Sequence, residues 1–337
     1  MKTAIKNTTI VDIARKLGIS PSTVSRALHN NPGVRQETKD LVSNAAEELR
    51  YLPNPIAQSL KSSKTTTIGV MVPEIKHDFF SSAISGIEEA AYTAGYTIIV
   101  CQSNENYERE VLNTRLLMQH RVAGVVVSIS QNTRNSDHFQ ELMRRKIPLV
   151  FFDRVCEDVQ ASKVIIDDYQ SAWNAVSYLV RKGYKTIAHF AGPQQLAICK
   201  KRLQAYIDVT KNLSTFSPET LILYGGLHEK DGYASMDSLL RKNIRPDAIF
   251  AVNDPVAIGA YQRIQETNLK IPGDIALLGF SNNTVASLLN PQLTTVDQPS
   301  FEMGKKAADI LINLIENKTT DQKTWMLETR LVERQST

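Results

Sequence analysis

Apolar residues at Ile10, Ile13, Ala14 and Leu17, and again at Val24, Ala27 and Leu28, recur at three-to-four-residue spacing, which places them on one face of each of two short helices. Thr9 stands where the first helix needs an N-cap, and Gly18 stops it. Ser20 caps the second helix and Pro21 takes its first position, where a missing N–H costs nothing. Only Gly18 and Ile19 separate the first helix from the second cap, so the pair turns sharply, as a helix-turn-helix does. A third helix is expected over Gln36 to Leu49, with Leu41, Val42, Ala45, Ala46 and Leu49 on its core face. The same pattern also suits a plain pair of core helices opening some other domain. In the helix-turn-helix reading the second helix enters a DNA major groove and presents Ser22, Thr23 and Arg26 to bases and phosphates. The Arg guanidinium suits a bidentate contact to guanine.

Beyond Thr66 the pattern changes to short apolar runs alternating with amphipathic stretches. Strands are expected at Ile68 to Val72, Thr97 to Cys101, Gly124 to Ser128, Leu149 to Phe152, Lys163 to Ile166, Thr186 to Phe190, Leu221 to Tyr224, Ala248 to Val252, Ile275 to Phe280 and Leu293 to Val296. Helices are expected between most of them, for example Ser81 to Ala94, Tyr169 to Lys182, Leu203 to Lys211 and Asp254 to Glu266. This alternation argues for parallel sheets covered on both faces by helices. So many strands suit two lobes, broken near the polar loop Asp153 to Gln160, with the chain crossing back near Gly279 to Val296. The carboxyl ends of the strands would then face a cleft between the lobes.

A linker, Leu52 to Thr67, joins the two patterns; within it Asn54 and Pro55 can open a helix running to Lys61, too short to be stable alone in water. The expected domains are therefore a helical head at 1–52, a hinge at 53–66 and a two-lobed body at 67–337. At 337 residues the chain exceeds one ordinary core. Its 42% apolar and 22% charged content is that of a globular protein. No run approaches the roughly 20 apolar residues of a membrane span, and the N-terminus lacks a signal-peptide core, so a cytoplasmic protein is expected. The net charge of +4 is uneven: residues 1–64 carry ten Lys and Arg against five Asp and Glu. A basic head on a neutral body points to a polyanion partner for the head. Cys101, Cys156 and Cys199 have no paired spacing and are expected to be reduced thiols. The six histidines show no ligand spacing, so neither a metal site nor a cofactor is expected. Phosphate loops, dinucleotide-binding glycines, nucleophile elbows and zinc-protease motifs are absent, which argues against an enzyme. A free-standing carbohydrate-binding protein would need an export signal and no DNA-binding head.

The run TIVDIARKLGISPSTVSRALHNNPGVRQET, followed by YLPNPIAQSL, resembles the lactose-repressor/galactose-repressor family of bacterial transcription regulators. The body shares the resemblance through Ile68-Gly69-Val70, His77-Asp78-Phe79-Phe80, Gly192-Pro193, Arg202, Asn253-Asp254, Ile271-Pro272-Gly273-Asp274-Ile275 and Leu293-Thr294-Thr295-Val296. What the resemblance implies is an all-α helix-turn-helix head and an α/β, periplasmic-binding-protein-like body of two doubly wound parallel-sheet lobes. The implied function is a dimeric repressor that reads a pseudo-palindromic operator under control of a small-molecule effector, a sugar or sugar derivative. DNA contacts would come from Thr9, Ser20, Pro21, Ser22, Thr23, Ser25, Arg26, His29, Arg35 and Thr38, and from Asn54, Ala57, Gln58 and Leu60 of the hinge. Leu60 would wedge between base steps in the minor groove; the family often has Arg where this chain has Gln58. Its alternative is packing on the body. Effector contacts would come from Phe79, Phe80, Asp153, Leu196, Ile198, Arg202, Leu227 and Asp254. For Asp254 the alternative is capping the helix that follows, for Arg202 a solvated helix face, and for the two phenylalanines simple core. A purine-binding member of the family has polar groups where this chain has Leu196 and Ile198, which favours an effector with an apolar flank. No heptad tail follows Trp325 to Val332, the last strand-like stretch, so a dimer is expected over a tetramer.

Overall fold

A computed structural model describes residues 8–51, 65–213, 218–317 and 322–337. Its contacts divide the chain into two units, Met1–Thr65 and Thr66–Thr337. Asn54, Ala57, Gln58 and Leu60 lie outside the described residues.

Among the described residues, the first unit holds three helices, α1 (Ile10–Leu17), α2 (Pro21–Leu28) and α3 (Gln36–Glu48). Local chemistry sets each boundary. Thr9 and Asp12 form a capping box, the Thr9 backbone N–H donating to the Asp12 carboxylate at 2.9 Å. Gly18 ends α1 at φ +67°, a left-handed conformation that glycine takes without a Cβ penalty. Ser20 Oγ then accepts the Thr23 N–H at 3.1 Å, with Pro21 in the first helical position. Ile13, Ala14, Val24, Ala27, Val42 and Ala45 make the core. Leu41, expected on the core face, is 59% exposed; Val34, from the loop before α3, is buried and closes the core in its stead.

The second unit contains two parallel sheets. The first has the order β11-β5-β4-β3-β1-β2, built from β1 (Thr67–Val72), β2 (Thr97–Gln102), β3 (Gly124–Val127), β4 (Leu149–Phe152), β5 (Ser162–Ile166) and β11 (Thr324–Leu327). The second has the order β7-β6-β8-β9, from β6 (Ile187–Phe190), β7 (Ile222–Leu223), β8 (Ala248–Ala251) and β9 (Ala276–Leu278). Every pairing within them is parallel, and β1, β3, β4, β6, β8 and β9 are almost wholly buried, as strands covered on both faces must be. Crossover helices supply the cover: α4 (Asp78–Thr93), α5 (Tyr107–Gln119), α6 (Asp137–Arg144), α7 (Asp168–Arg181), α8 (Ala197–Thr210), α9 (Glu229–Arg241), α10 (Asp254–Gln265) and α11 (Ser300–Asn317). Where α4 and α11 cross, a Cβ on Gly86 would meet the Phe301 carbonyl at 2.0 Å and one on Gly304 the Ala83 carbonyl at 2.0 Å, so both positions need glycine for that approach.

The break between lobes falls later than expected. The polar loop after β4 returns to β5, which pairs with β4 in register Phe151↔Lys163, so the chain leaves the first lobe only after Ile166. It crosses back after β10 (Thr295–Asp297), as expected, and α11 packs on the first lobe. Trp325 to Val332 is two strands rather than one: β11 joins β5 in parallel, and β12 (Arg330–Val332) turns back to pair antiparallel with β10. The chain thus passes between lobes three times. Asp297 helps to hold two of these passages, accepting from Arg330 Nε at 2.8 Å and Asn282 Nδ2 at 2.9 Å. Among the described residues, no helix is long and apolar enough to cross a membrane.

Candidate functional site

In the head, the exposed face of α2 carries Ser22, Arg26 and, at its C-cap, His29. Ser20 Oγ lies 2.7 Å from Ser22 Oγ and 2.8 Å from Thr23 Oγ1, so one cap residue organises the hydroxyls at the amino end of the helix. The positive end of the helix dipole there favours an anion such as phosphate. Thr9 and Pro21 are exposed, Arg35 is exposed at the N-cap position of α3, and Thr38 is half-buried in its first turn. Ser25, expected as a DNA contact, is only 8% exposed, and its carbonyl lies 2.6 Å from His29 Nδ1.

The carboxyl ends of the strands in both lobes converge on a narrow cleft that is partly open to solvent. Phe79, Phe80, Asp153, Ile198, Arg202 and Leu227 line it, and so do His77, Arg154, Asn253, Pro255, Ser281, Asn283 and Gln298, which sequence reasoning did not single out as contacts. Phe79 follows directly from the start of α4, edge-on to Phe80 with ring centres 5.2 Å apart. Phe80 in turn packs edge-on against Phe152 at the end of β4 and beneath the Arg154 guanidinium at 5.4 Å. Leu196 belongs to the buried cluster of the second lobe and lines an adjoining cavity that shares Asp153, Arg154 and Ile198.

Charge in this cavity is arranged in buried pairs. Arg202 Nε and Nη2 donate to Asp168 Oδ1 at 2.9 and 2.7 Å, Nη1 donates to the Val252 carbonyl at 2.7 Å, and the guanidinium lies 3.6 Å from the Phe280 ring centre. Three of its five N–H donors are used, which leaves two for a ligand. Asp167 and Asp168 diverge as adjacent carboxylates should: the first caps α7 through the Gln170 N–H, and the second holds Arg202. Arg154 Nη1 donates to Glu105 at 2.7 Å; burial works to lower its pKa, but Glu105 and Asp153 outweigh it and raise it. Asp153, at φ +57°, is pushed up to about 6, chiefly by burial. Among the described residues, Arg154 Nε, which lies 3.8 Å from Asp153 Oδ2, and Gln298 Nε2 are buried without a hydrogen-bond partner, and both residues line the cavity. Orphaned donors of this kind are what a polar ligand satisfies.

Asp254, expected to contact the effector, is not among the residues lining this cavity. It is fully buried, with Oδ1 accepting from Thr295 Oγ1 at 2.6 Å and Oδ2 from the Asn283 N–H at 2.7 Å, and burial pushes its pKa up to about 6. Nor does it cap α10, because Asn253 Oδ1 does so through the Val256 N–H at 2.9 Å. Asp254 instead braces Asn283, a cavity residue, against β10. Cys156 and Cys199 are buried, with burial pushing both thiols up to about 12, and all three cysteines are free.

Glu74, His77 and His228 also come together, with one potential ligand atom from each lying within 4.8 Å of the others. Burial holds the His77 imidazole below the usual histidine range, and although burial acts to raise Glu74, its bond to His228 and the charges of His228, His77 and Lys76 outweigh that and lower it. The two histidines read as scattered in sequence because each stands at the N-cap of a different helix, α4 or α9, and only the fold joins them.

Comparison with known proteins agrees with both units. Residues 9–54 match the model of bacterial regulatory proteins of the lacI family. Residues 65–334 match the model of periplasmic binding proteins and the sugar-binding domain of the LacI family. The HTH-type transcriptional repressor PurR of Vibrio atlanticus is 34% identical over 328 residues, covering 97% of each chain. The structure of the transcriptional regulator CelR–cellobiose complex is 28% identical, with a TM-score of 0.73 over 98% of this chain and 100% of that one. The fold is shared with the lac repressor dimer bound to operator and the anti-inducer ONPF, at 24% identity and a TM-score of 0.85 over 98% of this chain and 99% of that one. A capped helix-turn-helix joined to a two-lobed binding body, matched across both units, places the chain in the lacI family of bacterial DNA-binding transcriptional regulators, to which it belongs.

Proposed function

We propose that the effector is a small polyhydroxylated molecule, a sugar or sugar derivative, held in the interlobe cavity, and that it sets the affinity of a dimer for a pseudo-palindromic operator. The observation that carries this reading is the pair of orphaned donors, Arg154 Nε and Gln298 Nε2, in the cavity that Phe79 lines. A sugar offers hydroxyls to such donors and a C–H face to an aromatic ring. Arg202 adds two spare N–H groups and Asn283 adds an amide. Leu227 and Ile198 supply an apolar flank, which suits a pyranose edge better than the ring nitrogens of a purine. The cellobiose bound by CelR is of this chemical class.

Two heads on one dimer would present two α2 helices to two half-sites, because a two-fold protein matches a two-fold site. The effector controls DNA binding only through a difference in its affinity for the two arrangements of the lobes. The hinge is the proposed transmitter: Asn54 to Lys61 is too short to hold a helix alone, so it would order on operator when its twin packs against it. Leu60 would be the minor-groove wedge. The test is calorimetry of the full chain against a panel of mono- and disaccharides, sugar phosphates and purine bases. Binding of a sugar that weakens in Gln298→Leu supports the proposal; binding confined to a purine, or to ligands indifferent to Gln298→Leu, overturns it.

A further inference from the structure

At the rim of the cleft, Glu74 in the loop after β1 and His77 at the start of α4 face His228 at the start of α9, so two ligands come from one lobe and the third from the other. His77 Nε2 lies 2.8 Å from Glu74 Oε2, and His228 Nε2 lies 3.2 Å from Glu74 Oε1. The imidazole rings are tilted at 47° with centres 5.4 Å apart, too open for stacking. Glu74 Oε2 is buried and makes no directed hydrogen bond. Behind His228, Asp231 Oδ2 lies 3.5 Å from Nδ1 and accepts the His228 backbone N–H at 3.0 Å, while the His228 side chain accepts the Asp231 backbone N–H, and this capping box fixes where the imidazole stands.

We propose that Glu74, His77 and His228 form a binding site for a divalent first-row transition metal, with Zn²⁺ the best match, that clasps the two lobes of the effector domain across the mouth of the cleft. Two imidazoles and one carboxylate are the three-ligand set of open zinc sites. Tetrahedral Zn²⁺ with bonds near 2.0–2.1 Å needs neighbouring ligand atoms about 3.4 Å apart; the Glu74 contacts of 2.8 and 3.2 Å lie near that spacing, and the ligand atoms of all three residues lie within 4.8 Å of one another. Calcium and magnesium prefer all-oxygen ligands and fit poorly. Lys76 Nζ, 3.4 Å from Glu74 Oε2, is the competitor that the metal displaces. Because the ligands span both lobes, the metal favours whichever lobe arrangement brings them within bonding distance. Since His77 also lines the effector cavity, metal and effector are thermodynamically coupled.

The test uses untagged full-length protein, dialysed against a chelator and titrated with Zn²⁺ in competition with a chromophoric chelator. Co²⁺ serves as the spectroscopic stand-in. One Zn²⁺ per chain is expected, with Co²⁺ giving visible ligand-field bands. His228→Gln and Glu74→Gln should each weaken binding by at least about 100-fold, since losing only a group that hydrogen-bonds to a metal ligand already costs about 10- to 100-fold. Lys76→Ala should tighten it, and His120→Gln, on an exposed histidine elsewhere, should leave it unchanged. Zn²⁺ should also raise the melting temperature of the wild type and not that of His228→Gln, whose metal-free melting curve checks that it folds. Absence of stoichiometric binding at micromolar Zn²⁺, or binding that survives both His228→Gln and Glu74→Gln, overturns the proposal and leaves the three groups as an ion-paired contact between lobes.

Discussion

Replacing Arg202 by Met removes the guanidinium while keeping most of the side-chain volume. The structure predicts a loss that comes from the partner left behind. Asp168 is buried and takes two donors from Arg202, and the Val252 carbonyl takes a third. Breaking a buried pair from one side strands a charge and costs about 3 to 5 kcal/mol. Loss of the stacked contact with Phe280 acts in the same direction. If Asp168→Asn is added, the stranded charge is gone and the deficit should shrink to about 1 to 2 kcal/mol, the worth of the missing hydrogen bonds. Urea unfolding followed by tryptophan fluorescence suits the measurement: the chain has two tryptophans, Trp173 in α7 and Trp325 in β11, so the signal reports the body and not the head. The reasoning is refuted if Arg202→Met alone loses less than about 1 kcal/mol, or if the double variant is no more stable than the single one. The same variant should lose effector binding, but at this position that loss does not by itself distinguish a ligand contact from a collapsed clamp.

Asp254 has a native pKa of about 6 against an ordinary 3.8, so the folded state holds its proton more tightly than the unfolded chain does. Its contribution to stability therefore falls as pH rises from about 4 to about 6, then stays level. Asp254→Asn should flatten the stability profile in that window, with Asp153 left to supply the remaining slope; an unchanged slope in urea titrations would contradict the assignment. In the head, Arg26→Ala should weaken operator binding by about 1 to 3 kcal/mol while random DNA loses much less. Equal losses on both DNAs, by fluorescence anisotropy, would make Arg26 a phosphate contact. Leu60→Ala should abolish operator bending, read by energy transfer between end-labelled dyes, without changing effector affinity; retained bending would remove the wedge from the account.

What the sequence made legible was mostly local. Ser20, Pro21 and Gly18 announce their roles because capping and φ preference depend on immediate neighbours, and the structure has all three where the pattern put them. The alternation of strands and helices gave the parallel sheets for a similar reason. Register between lobes was harder, because every buried parallel strand carries the same apolar signature and nothing in Ser162–Ile166 says which sheet it joins. For Asp254 both effector contact and helix capping stood open, because Asn253 and Asp254 are both good helix starters and only the three-dimensional positions of Thr295 and Asn283 decide which is the cap and which the brace. Arg154 and Gln298 lie in no motif, and their orphaned donors appear only once burial is known. The pairing of His77 with His228 crosses 150 residues of intervening chain, beyond the reach of any spacing rule.

The account turns on ligand-controlled, two-fold reading of DNA, and selection of bound duplexes from a random pool tests it most directly when run with and without the sugar identified by calorimetry. Enrichment of one pseudo-palindrome is predicted, bound by two chains per duplex, with its affinity shifted at least about tenfold, or 1.4 kcal/mol, by the sugar. Enrichment of no sequence over random DNA, or of one whose binding is indifferent to every ligand that occupies the cavity, would contradict it.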